Sequence, residues 1–134
     1  MKRHAVAVLL GLFILFTYAP MYAHEASGEK SALLAEKIAL SAIIEDGIDN
    51  LEMRVVLVQN MLLSIGDKIA SVTQEFLEAP AEKEMEVYER YLALCDVFAS
   101  VVRRKVELQT EIVQAKKALA EMYYEIEEFE KQLN

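Results

Sequence analysis

Apolar residues recur along this chain in steps of four and three. From Ile44 the series runs through Ile48, Leu51, Val55, Val58, Leu62, Ile65, Ile69 and Val72 to Phe76 without an error. A second series runs through Val87, Tyr91, Leu94, Phe98, Val101, Leu108, Ile112, Ala115, Leu119, Met122, Ile126, Phe129 and Leu133, and misses only at Lys105. An average step of 3.5 residues is the coiled-coil repeat, whereas a strand would alternate at every second position. Between the two series stands "EAPAEKE", which contains the only proline after residue 30. Proline cannot continue a helical ladder and pushes the preceding residue out of the helical region. The pattern therefore predicts helices over about 31–77 and 83–133 with a turn over 78–82. That is an all-α fold, a long antiparallel helical hairpin or two-helix coiled coil, with arms of about 50 residues and roughly 75 Å.

A short turn favours pairing between the two arms. If Val72 faces Tyr91, so that facing positions sum to 163, every seam position meets another seam position. The same alignment sets Glu75 near Arg90, Arg54 near Glu111 and Glu45 near Lys116, all opposite in sign. Slipping by one heptad brings Lys68 against Arg90 or Arg104. Exposed pairs are worth only about 0.3–0.5 kcal/mol each, so they choose the register and burial of the seam drives the pairing. Lys105 then faces Val58, with Gln59 beside it. Its stem can lie on the seam while the ammonium reaches out, and a polar seam residue also penalises other registers.

A coiled coil of two helices should be polar outside its seam. Here Tyr88, Leu92, Cys95, Ala99, Val102, Val106 and Val113 form a second stripe, and Val56, Leu63, Gly66, Ala70 and Leu77 fall on the same side of the hairpin. The opposite side of the second segment carries Arg90, Ala93, Arg104, Glu107 and Glu111. An apolar patch of this size needs cover. A second copy would supply it in a four-helix bundle with an isologous interface. A different protein, the N-terminal segment or a transiently held client are the other candidates. Gly66, opposite Cys95, is expected to let the two arms approach closely. Toward the termini Lys37 and Ser41 replace apolar seam residues, so the free end is expected to fray.

The N-terminus changes the picture of where the protein works. Lys2 and Arg3 precede an apolar run from Ala5 to Ala19 and a break at Pro20. That is the layout of a secretory signal peptide, with cleavage expected after Ala23 and a hairpin domain over 24–134. The run is shorter than the ~20 residues of a spanning helix; an uncleaved membrane anchor is the alternative. The whole chain carries a net charge of −8, and removal of the leader leaves −10. Such a chain repels nucleic acid and anionic lipid. Cys95 is the single cysteine, so no internal disulfide can form.

Candidate chemistry is sparse. The sequence contains no Cys-x-x-Cys, no Glu-x-x-His pair, no phosphate-binding glycine loop and no nucleophile elbow. His24, at or near the new N-terminus, lacks a second imidazole for a tight metal site. The sequence thus predicts no enzyme, no catalytic or metal residues and no cofactor. It predicts an exported periplasmic or secreted interaction protein, acting as scaffold, adaptor or holding chaperone on a protein partner, with self the first candidate. The alternative is a membrane-anchored subunit of a bacterial envelope assembly, such as a secretion or motility complex.

Overall fold

The structure, a computed structural model, describes residues 26–134. The leader expected over 1–23 and His24 lie outside the described residues. Among the described residues two helices make up the fold: α1 spans Ala26–Glu78 and α2 spans Glu84–Leu133. They pack against each other as a helical hairpin. α1 starts five residues before the expected boundary and includes Gly28, because one exposed glycine costs only about 1 kcal/mol in a long helix.

The turn is short and tightly bonded. Beyond the end of α1, the Ala79 amide donates to the Phe76 carbonyl at 3.4 Å, and the Lys83 amide donates to the Pro80 carbonyl at 2.8 Å. Lys83 occupies the cap position of α2 without a side-chain capping bond. Glu84 and Glu86 in the first turn complement the positive end of the helix dipole instead.

Among the described residues every buried one lies on the seam. Ile48, Leu62, Val87, Leu108, Ala115 and Met122 are the buried apolar side chains, and Leu108, 1% exposed, is the best covered. Cross-helix contacts fix the alignment. Lys105 Nζ donates to Gln59 Oε1 at 2.6 Å, Arg90 pairs with Glu75, and the rings of Phe76 and Tyr88 lie 6.0 Å apart. Positions in these contacts sum to 164 or 165, beside the 163 of the seam. A one-heptad slip would move each by seven.

Two charge contacts differ from those read off the sequence. Lys116 pairs with Glu52 at 2.7 Å instead of with Glu45. Helical side chains lean toward the N-terminus of their own helix. Lys116 therefore leans toward the turn and Glu52 leans away from it, so the two converge, whereas Glu45 leans out of reach. Glu111 lies 3.6 Å from Arg104 on its own helix, and Arg104 also reaches Glu107 at 3.3 Å. Two turns of helix are short enough for long side chains to span, and that contact takes the place of the expected one to Arg54.

The polar seam residues of the free end find partners. Lys37, 7% exposed, pairs with Glu125 and stands 5.4 Å over the Phe129 ring. Ser41 Oγ donates to its own helix at the Ile38 carbonyl, 2.7 Å away. Both residues satisfy their polar atoms, as a buried polar group must. At the turn end the seam is looser than its pattern implies. Phe76 is 37% exposed, its ring swung out against Tyr88 beside the turn.

Candidate interaction surface

The contacts divide the hairpin into two flanks. On one, Glu52 reaches Lys116, Gln59 receives Lys105 and Phe76 touches Tyr88. On the other, Glu75 meets Arg90 and Arg104 meets Glu111. Stepping by seven from these anchors assigns each outward residue to a flank.

The first flank holds the apolar stripe expected from the sequence, and the hairpin leaves it bare. Val56, Leu63, Tyr88, Leu92 and Val106 are 44–61% exposed, Leu77 and Val113 more so. Ala99 is exposed, while Gly66, Cys95 and Val102 are half-buried. Gly66 does not bring the helices together. A Cβ built on it would meet nothing within 4 Å, so the position is an open notch in the stripe. Cys95 is a free thiol. Hydrogen bonding with the Cys95 side chain is the first cause that holds the Tyr91 phenol above its usual pKa. The rings of Tyr88 and Tyr91 stack 6.3 Å apart, and with Thr73 and Phe76 they line a shallow hollow of 210 Å³ near the turn. A second hollow, of 370 Å³, lies among Glu52, Val55, Gln109, Ile112 and Val113. Neither encloses titratable groups in a dry cavity, the usual requirement for tuned acid–base chemistry. Among the described residues no group of three or more His, Cys, Asp or Glu side chains could hold a metal ion.

The register-setting residues fall where the flanks meet the seam. Lys105 is half-buried, and Arg90 and Glu75 are each about half exposed. Arg54 and Glu45 are exposed, with no ion pair to another described residue.

The other flank holds apolar residues that the sequence reading passed over. Leu57 and Met61 are 57% and 51% exposed there, joined by Ile43 at 58% and by Met53 on the outer rim at 63%. Their signal was a third series running beside the seam of the first segment. α1 consequently contains an 18-residue window of mean hydropathy 1.4 that is only 6% buried. A stretch that apolar could cross a membrane by length and composition. Arg103, Arg104 and Lys105 of α2 would each cost about 2.5–3.5 kcal/mol at the centre of a bilayer.

No protein-family model, curated protein or solved structure matches the chain. The surface itself therefore carries the functional reading.

Proposed function

We propose that this is an exported, non-enzymatic coiled-coil protein that works by docking a protein on its first flank, as a scaffold, adaptor or holding chaperone. One observation carries the reading. Side chains from Val56 to Leu77 on α1 and from Tyr88 to Val113 on α2 form a continuous apolar stripe that the hairpin leaves largely exposed. A soluble chain does not keep so long a patch in water without a use for it. Covering a half-exposed Leu or Val recovers about 1 kcal/mol, so several along one stripe offset the entropic cost of association.

A second copy is the favoured occupant, giving a four-helix bundle. Carboxylates are absent from the stripe between Val56 and Ala70 on α1 and between Leu92 and Val106 on α2, so two like flanks meet without repulsion. The leader reading places the protein in the periplasm or outside the cell.

Light scattering on the chain beginning at His24 tests this, with and without Leu92→Glu plus Val102→Glu. The wild type should run as a dimer or larger and the double variant should lose that interface. A wild type that stays monomeric at tens of micromolar would exclude self-association and leave a foreign partner for the flank.

A further inference from the structure

The first flank of α1 carries a knob and a notch within one helical turn. Leu63, 61% exposed, stands three residues before Gly66. A Cβ built on Gly66 would meet nothing within 4 Å, so the hairpin leaves room there for a side chain it does not supply. The chain itself gives no packing reason for glycine at a position where alanine would make a stronger helix. On α2 the small Ala99 and the larger Val102 form a similar pair. Both pairs stand at one height along the hairpin. Leu63 with Val102, and Gly66 with Ala99, each sum to 165, as Glu75 and Arg90 do in their contact across the helices.

We propose that a second copy lies face to face on this flank with its turn at the opposite end, α1 along α1 and α2 along α2. The two-fold axis passes between Leu63 and Gly66 and between Ala99 and Val102. This rests on the reading that a second copy covers the first flank, and adds its orientation. Facing positions sum to 129 on α1 and to 201 on α2. Leu63 then enters the Gly66 notch and Gln59 meets Ala70, while Val102 meets Ala99 and Val106 meets Cys95, each contact occurring twice. Large meets small through the centre, as close packing requires. The run ends at Glu52 over Leu77 and at Lys116 over Met85. These two charges already pair with each other at 2.7 Å, and no charged residue of the flank lies between them and the axis. The interface therefore has an apolar centre and a polar rim.

The other two-fold arrangements fit less well. With both turns at one end, α1 lies on α2 of the second copy. Gly66 then meets Ala99 and Ala70 meets Cys95, small on small, while Leu63 meets Val102 and Leu77 meets Tyr88, large on large. Sliding the opposed copies by seven in one direction puts Gly66 on Ala70 and Cys95 on Ala99 and leaves the notch empty. Sliding them by seven in the other direction drives Glu52 onto Ala70 and Asp49 onto Thr73, which carries carboxylates into the apolar run.

Two measurements on the chain beginning at His24 test the orientation. Sedimentation should show that Gly66→Leu weakens the dimer at least tenfold, because it fills the notch that Leu63 of the second copy occupies. Leu63→Gly combined with Gly66→Leu should restore the dimer, since each leucine again faces a glycine. With both turns at one end the exchange would not rescue, as neither position faces the other. Spin labels on Glu82→Cys in a Cys95→Ser background place the turns directly. They should lie roughly 50 Å apart between copies, from the rise of the helices on either side of the axis. A dimer whose turn labels lie within about 20 Å, or whose exchanged variant stays dissociated, overturns the orientation and leaves self-association standing. A wild-type chain that sediments as a monomer overturns both.

Discussion

Lys105 Nζ donates to Gln59 Oε1 across the seam, 2.6 Å away. The one interruption in the apolar series of α2 is thus met by the residue beside Val58, its facing position. The lysine stem stays on the seam and its charge turns to an amide on the edge. A polar seam residue costs stability and narrows the choice of register. Lys105→Leu should therefore stabilise the protein by about 1–2 kcal/mol in urea unfolding, while broadening its oligomer distribution. A loss of stability would mean that the Gln59 contact outweighs apolar packing.

Burial along the seam is uneven, and it separates core from interface. Leu108 is 1% exposed, so Leu108→Ala should cost about 2–5 kcal/mol at any protein concentration. Leu63 is 61% exposed in the single hairpin, and Leu63→Ala should change monomer stability by about 0.5 kcal/mol or less. A larger loss that grows with protein concentration would place a partner over Leu63; unfolding curves at two concentrations distinguish these outcomes.

Gly66 sits in an open notch within the first flank. In an isolated hairpin Gly66→Ala should raise stability by about 1 kcal/mol, the helix propensity difference. If a partner side chain enters the notch, the same change should weaken association while the monomer gains stability. Thermal unfolding and light scattering on one sample read both.

Tyr91 gives a pH signature. Its hydrogen bond with the Cys95 side chain, then the field of Cys95, burial and Tyr88, all favour the neutral phenol. A group whose folded pKa is raised stabilises the fold below its unfolded value, about 10 for tyrosine, and that contribution is lost as pH climbs through the folded value. Absorbance titration should therefore show a tyrosine ionising late, and Cys95→Ala should bring it back toward the ordinary range. An unchanged titration in the variant would show that the contact does not hold the proton.

The coarse fold was legible because each helix repeats its pattern many times. A single miss at Lys105 could not obscure the period, and Pro80 marked the turn. Individual charge contacts were less legible. Glu45 and Glu52 occupy equivalent heptad positions beside Lys116, and only the lean of the side chains selects Glu52. The exposed series through Leu57 and Met61 was overlooked because three overlapping stripes on α1 make that stretch read as uniformly apolar.

By itself the sequence determined the two helices, their turn and the seam, since periodicity and proline are local properties that survive any tertiary context. Only the folded hairpin decided which apolar residues lose water and which keep it. A pair of helices can cover one stripe on each partner, so Leu108 is enclosed while Leu63 and Met61 remain outside. That division depends on a finite number of neighbours in space, a quantity no single helix pattern contains.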